Sequence, residues 1–244
     1  MKQSIFKVIS NEIIAKNVYK MVLSGDTSAI TSPGQFVNLF VDSCFLRRPI
    51  SVCDVNGNEL TLVYKVVGTG TKLMGRAKAG DEFDTLTGLG NGYDLSLSGE
   101  NPLLLGGGVG VPPLYMLAKS LVNQGRKVSV VLGFNTKEEV FFEDEFRALG
   151  ADVTVTTADG SYGVKGFVTD ALPSDYSYFY TCGPEPMLKA VYKKTVTPGQ
   201  FSFEERMGCG FGACMGCSCK TVTGFKRICK EGPVLKKEEI LWED

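Results

Sequence analysis

The hydrophobic period changes once along the chain, and that change limits what the chain can fold into. From residue 4 to about 98, apolar residues recur at every second position. They fall in runs such as SIFKVIS, VYKMVLS, FVNLFVD and ELTLVYKVV, separated by the turn formers SGD, SPG and NGN. A period of two gives each strand one apolar face, and many short strands joined by tight turns fit an antiparallel sheet or small barrel. NGN at residues 56–58, between two such runs, is a hairpin signal. Only TKLMGRAK interrupts the pattern with a helical one. Beyond SLSGENP the texture differs: the strand-like LLL, VSVVLGF, VTVTTA and YSYFYTCG alternate with the helix-like YMLAKSLVNQ, EEVFFEDEFRAL, VTDAL and PEPMLKAVYKK. That alternation implies a parallel sheet with crossover helices. The expected architecture is multi-domain, β followed by α/β: an antiparallel β-barrel over 1–98, a parallel-sheet nucleotide-binding domain over 101–200 and a small unit over 201–244.

Composition removes several kinds of chemistry. The chain has 244 residues and no histidine, so imidazole acid–base catalysis, His-ligated metals and Ser-His or Cys-His nucleophiles are excluded together. With 26 basic and 27 acidic residues there is no field suited to nucleic acid or an anionic membrane. The N-terminus alternates instead of carrying a signal peptide's apolar block, and no apolar run approaches the ~20 residues of a membrane span. The expected compartment is the cytoplasm, where metal thiolates occur and structural disulfides are rare.

Three glycine-containing motifs have the chemistry of phosphate sites. GGGVGVPPL, from Gly106 to Leu114, follows a strand and opens a helix. Glycines there let the backbone approach a pyrophosphate, although Pro113 stands where the G-x-G-x-x-G fingerprint needs its third glycine. TCGPEPM places Cys182 and Gly183 at the end of a later strand, and so in the same crevice as Gly108 and Gly110. In the β region, LRRPIS supplies Arg47 and Arg48, and KVVGTGT supplies Lys65, Gly70 and Thr71 at a strand-to-helix turn. An arginine fork and free turn N–H groups both suit a diphosphate. Each motif alone has a plainer reading, as a tight turn, a buried thiol or a solvated arginine pair. Their occurrence in two domains favours nucleotides.

The cysteines carry the sharpest signal. Cys209, Cys214 and Cys217 have the spacing C-x4-C-x2-C, with Cys229 further on, which is the plant-type arrangement for a 2Fe-2S cluster. Glycines 208, 210, 212 and 216 let the loop wrap a cluster and aim N–H groups at its sulfurs. Four thiolates also make a structural zinc site, but zinc ribbons usually show two C-x2-C knuckles and this chain has one. Cys219 is one residue from Cys217 and reads as a non-ligand, while Cys44 and Cys53 read as ordinary core thiols.

RPIS, KVVGTGT, GLGNGY, GGGVGVPPL, TCGPEPM and ERMGCGFGACMGCSC occur in this order. Together they resemble the ferredoxin reductase superfamily and, over nearly the whole length, its electron-transfer subunits of class 1B dihydroorotate dehydrogenase. The resemblance implies an FAD-binding barrel, an NAD-binding α/β domain and a C-terminal 2Fe-2S domain. It puts FAD contacts on Arg48, Pro49, Ile50, Ser51, Val63, Tyr64, Lys65, Gly70 and Thr71. NAD(H) contacts fall on Gly108, Gly110, Cys182 and Gly183, and cluster ligands on Cys209, Cys214, Cys217 and Cys229. It implies no catalytic side chain. The implied partner is an FMN-containing dihydroorotate dehydrogenase catalytic subunit, two of each forming a heterotetramer in pyrimidine biosynthesis. A diaphorase subunit of a hydrogenase or a ferredoxin:NAD(P) oxidoreductase is the alternative. Nothing after VSVVLGF selects NAD or NADP, and the chain departs from the family in lacking a proline before LGNG.

Overall fold

A computed structural model describes residues 1–242. Strands β1 (Lys2–Ala15), β2 (Val18–Ser24), β3 (Phe36–Leu39), β4 (Arg48–Asn56), β5 (Glu59–Lys65) and β6 (Glu82–Leu89) close an antiparallel barrel in the order β1-β2-β5-β4-β3-β6. The NGN turn joins β4 to β5 with Gly57 at φ +57°. The helix α1 (Thr69–Met74) lies between β5 and β6. Alternation sends Val37, Leu39, Leu60, Leu62 and Tyr64 into the barrel interior. Phe36 and Asn38 on β3, and Val63 on β5, occupy the opposite phase and are nevertheless buried, because the rest of the chain covers them.

The second layer comprises β7 (Pro102–Gly107), α2 (Pro113–Asn123), β8 (Ser129–Phe134), α3 (Glu143–Ala148), β9 (Asp152–Thr157), β10 (Val164–Lys165), β11 (Tyr178–Cys182), α4 (Glu185–Lys194) and β12 (Gly199–Ser202). A short hairpin follows, β13 (Ser218–Thr221) with β14 (Gly224–Arg227), and then β15 (Val234–Lys236). The sheet runs β10-β9-β8-β7-β11-β12-β15 and is parallel except where β15 lies antiparallel to β12. Helix α3 is shorter than the pattern EEVFFEDEFRAL suggests. Phe142 turns left-handed at φ +67°, so that Phe141 and Phe142 pack among Phe134, Phe146 and Tyr115.

Two apolar clusters fasten the parts together. On one face of the sheet, Leu104 and Val130 meet Leu114 and Leu117 of α2 together with Val18, Cys53 and Val63 of the barrel. On the other, Leu103, Leu105 and Phe179 meet Leu188 of α4, barrel residues Phe36, Leu86 and Leu89, and Cys217, Ile228 and Cys229. Ion pairs Lys119–Asp54 (2.9 Å) and Lys65–Glu139 (3.2 Å) also join barrel to sheet. Such partly exposed pairs contribute at most about 1 kcal/mol each, whereas a buried Leu or Phe contributes about 1.5–3 kcal/mol. Apolar packing therefore sets how the parts sit.

Candidate functional site

The barrel brings Arg48 and Gly70 together, although β4 and α1 are far apart in sequence. A Cβ at Gly70 would overlap the Arg48 guanidinium, so glycine alone admits this approach. Arg48 donates to the carbonyls of Leu46 (2.6 Å) and Arg47 (3.3 Å) and, among the described residues, pairs with no carboxylate. Arg47 does something different: it forms an ion pair with Asp84 at 2.8 Å and donates to the Asp84 carbonyl at 2.6 Å, which makes it a strand clamp. Of the two arginines only Arg48 is free for an anion. Thr71 accepts from Val67 N–H (3.0 Å) and Gly68 N–H (3.2 Å), closing its own turn and leaving the first-turn N–H groups of α1 to a ligand.

The remaining barrel candidates divide by strand phase. Pro49 and Ser51 pair with Asn38 and Phe36, which places their side chains on the outer face, whereas Ile50 packs against the interior cluster. Tyr64 points inward, stacked on Tyr19 and donating to Asn11 at 3.0 Å, so only its backbone faces outward. Val63 faces the sheet layer, and Lys65 pairs with Glu139.

On the sheet, β7 and β11 are adjacent and parallel, with Gly106 opposite Cys182. Both glycine turns therefore emerge at one carboxyl edge. A Cβ at Gly110 would overlap the Cys182 carbonyl, and one at Gly183 would lie 2.7 Å from Met187 Cε. Gly108 sits at φ +52° with open space where a side chain would be. Pro112 and Pro113 open α2 and have no N–H, so any backbone donors for an anion at this edge would have to come from the one-turn 3-10 segment Gly108–Gly110 instead of from the helix end. Burial pushes the Cys182 thiol up to about 12, so it stays neutral.

All eight cysteines are free thiols. Four of them fall into two pairs linked by backbone N–H to sulfur bonds: Cys214 N–H to Cys209 Sγ, and Cys229 N–H to Cys217 Sγ. Cys209 Sγ accepts from the N–H groups of Ala213 (3.2 Å) and Cys214 (3.5 Å), and Cys217 Sγ from Cys229 N–H (3.4 Å). Among the described residues no three acidic, Cys or His side chains converge on one ion position. Two thiol pairs suit two irons, each taking two thiolates, whereas tetrahedral zinc draws four ligands to a single point. Burial works against the Cys209 thiolate, but N–H donors from Cys214, Phe211 and Ala213 outweigh it and bring the group down to about 6. Burial, then Cys217 beside it, pushes Cys229 up to about 12. Cys219 lies on β13 opposite Lys226, its thiol raised by burial.

Two residues that were not site candidates brace this loop. Arg227 donates to the Gly212 carbonyl at 2.6 Å and forms an ion pair with Glu231. Asn91, in GLGNGY, donates to the carbonyls of Glu231 (3.2 Å) and Val234 (2.8 Å) and accepts from Val234 N–H (2.9 Å), tying the barrel to the chain just past Cys229. Ordinary polar side chains of this kind give no spacing pattern to read. Gly88 takes φ +66°, which proline's ring forbids, so this backbone could not carry a proline before LGNG.

A family model described as the iron-sulfur cluster binding domain of dihydroorotate dehydrogenase B matches residues 204–241, and an oxidoreductase NAD-binding domain model matches 104–193. The dihydroorotate dehydrogenase B (NAD(+)) electron transfer subunit of Geobacillus sp. (strain WCH70) is 45% identical, covering 99% of each chain. That of Fusobacterium nucleatum is 44% identical, covering 96% of each. A solved NADH-dependent reduced ferredoxin-NADP oxidoreductase superposes with TM-score 0.88 at 30% identity, over 98% of this chain and 90% of that one. A Neisseria gonorrhoeae ferredoxin NADP+ reductase with bound FAD and NADP, 18% identical, shares the fold with TM-score 0.68 over 80% of this chain and 90% of that one. No helix among the described residues is long and apolar enough to cross a membrane. The barrel, the parallel sheet and the paired thiols thus meet a full-length likeness, and the chain belongs to the family of dihydroorotate dehydrogenase B (NAD(+)) electron transfer subunits.

Proposed function

We propose that this chain carries electrons between NAD(H) and a separate FMN-containing subunit that oxidises dihydroorotate, in cytoplasmic pyrimidine biosynthesis, with two copies of each subunit in the complex. The observation that supports it most is the meeting of three binding features in one packed unit. These are Arg48 over Gly70, the Gly108–Gly110 turn against Cys182–Gly183, and two thiol pairs whose buried members share an apolar cluster with barrel and sheet. When bound, FAD exchanges a two-electron hydride for single electrons, which a 2Fe-2S cluster accepts one at a time.

The chain's own residues bind, orient and insulate. Arg48 and the first-turn N–H groups of α1 hold the FAD diphosphate, and Pro49 and Ser51 line the flavin beside the backbone of Ile50 and of Val63 to Lys65. The Gly108–Gly110 turn holds the nicotinamide dinucleotide, and the neutral Cys182 thiol adds no charge beside it. Glu139 folds back to the end of β8, where it accepts from the Asn135 side chain at 2.9 Å. That carboxylate is already paired with Lys65, and the support for NAD over NADP is the likeness to NAD(+)-linked electron transfer subunits. Cys209, Cys214, Cys217 and Cys229 would hold the 2Fe-2S cluster through their thiolates. The exposed edge at Cys214, with Phe211 and Met215 also exposed, faces the partner; Cys217 is 2% exposed and lies behind it.

A diaphorase role in another complex has less support, since the reduced ferredoxin-NADP oxidoreductase is 30% identical against 45% for the Geobacillus subunit. Anaerobic NADH titration of the purified chain, followed by visible absorption and EPR, tests the proposal. Bleaching of flavin together with a reduced-cluster signal is expected. Turnover of dihydroorotate by the isolated, FMN-free chain would overturn it.

A further inference from the structure

We propose, on the reading just given, that Asn38 is a positioning residue for the iron-sulfur loop: its side-chain amide fastens the carbonyl of Cys209 to the barrel face next to the flavin site. Asn38 lies on β3 opposite Pro49, with its side chain on the outer face of the barrel, and it is 1% exposed. Its Nδ2 donates to the Cys209 carbonyl at 3.3 Å, across 171 positions of sequence. The next residue, Gly210, has φ +79°, and a Cβ there would stand 2.5 Å from Asn38 Nδ2. Only glycine lets the amide come this close. Asn38 Oδ1, in contrast, meets no hydrogen-bond donor among the described residues, and the residue across the ladder is a proline with no N–H to offer. The strand itself is braced from the barrel side, where the Asn38 carbonyl accepts from Arg47 at 3.4 Å and Arg47 is anchored on Asp84.

Burying an amide whose oxygen meets no protein donor is unfavourable, and a leucine, with the same branching though larger, would carry no such penalty. Fold stability alone therefore does not account for the asparagine; the bond to Cys209 does. Holding the Cys209 carbonyl orients the peptide plane between Cys209 and Gly210. That plane leads into the turn whose Phe211, Ala213 and Cys214 N–H groups face Cys209 Sγ. The amide has one usable orientation, because turning it over would set Oδ1 against the carbonyl oxygen. Contacts of this outer kind govern how firmly a metal centre is held and what field its sulfurs feel.

The test uses the full chain carrying flavin and cluster, with Asn38→Leu as the main variant. Iron release to a chelator is expected to accelerate about 10-fold or more, with altered g-values of the reduced cluster, an unchanged flavin spectrum and a melting temperature no lower than the parent's. Gly210→Ala approaches the same contact from the loop side without touching the barrel. It should speed iron release likewise, and the double variant should show no further increase. Parent-like iron release and g-values in both variants would overturn the inference, as would a lower melting temperature with flavin and cluster lost together. A parent chain that binds no iron would instead overturn the functional reading beneath it, and this inference with it.

Discussion

The two thiol pairs have the same chemistry and opposite surroundings. Cys209 and Cys214 sit in a glycine-rich loop at the surface, Cys214 exposed, and backbone N–H groups draw the Cys209 thiol down. Cys217 and Cys229 are each 2% exposed, packed with Ile228, Leu105 and Phe179, and burial pushes Cys229 up. One half of the site depends on backbone dipoles and the other on the apolar core. A centre built across this divide has one side supported by the whole fold and another open to a partner.

Replacing the ligands one at a time tests that division most directly. Cys217→Ser and Cys229→Ser each put a hydroxyl into an apolar site, costing about 1–3 kcal/mol when unpaired. Both are expected to abolish bound iron and lower the melting temperature. Cys214→Ser, exposed to water, is expected to keep part of its iron and the parent's melting temperature. Iron and acid-labile sulfide assays with thermal melts distinguish these outcomes, and equal damage from all three would remove the asymmetry.

Alkylation of the metal-free chain at pH 7 gives the next largest effect. A thiol brought down to about 6 is mostly thiolate at that pH, while one pushed up to about 12 is almost wholly protonated. Cys209 should therefore be modified at least about 100-fold faster than Cys229, as read from labelled peptides by mass spectrometry. A smaller effect is expected from Gly212→Ala. Gly212 takes φ +92° and an added Cβ would stand 2.6 Å from Lys230 Cδ, so the loop should lose about 1–2 kcal/mol. Hydrogen exchange localised to 208–216, with the sheet unaffected, would confirm it.

The smallest expected effect is acid sensitivity at Glu231, whose carboxyl Arg227 holds down to about 2. A depressed carboxylate stabilises the fold above its unfolded value near 4.5, and the contribution disappears as pH falls through about 2. Arg227→Met should flatten the loss of stability across that window, as followed by circular dichroism. An unaltered acid profile in the variant would mean that the pair contributes nothing.

The features legible in the sequence were those with a period or a spacing. Barrel strands alternate, sheet strands and helices alternate with each other, and C-x4-C-x2-C stands out within one loop. What escaped were features that depend on distant residues meeting. Arg47 and Arg48 look equivalent side by side, yet only packing against Asp84 makes one of them a clamp. Tyr64 is among the FAD contacts the resemblance implies, and only strand phase shows that its ring turns into the barrel and leaves its backbone outward. The helix expected over EEVFFEDEFRAL begins late because two phenylalanines are needed in the core. Strand β15 is three residues long, too short to show a period, and its place is set by its partner β12.

That last strand has a mechanical consequence. β12 and β15 are neighbours, with Ser202 opposite Val234, so residues 203–233 leave the sheet and return to it at the same edge. The iron-sulfur loop is therefore anchored at both ends to one rigid body, not hung on a tether. Loss of iron should melt this excursion while its closing ladder persists, as a local opening instead of global unfolding. Held at both ends, the loop is expected to stay beside the barrel instead of shuttling between donor and acceptor. Its partner has to come to it, and the length of each electron step is set when the sheet folds.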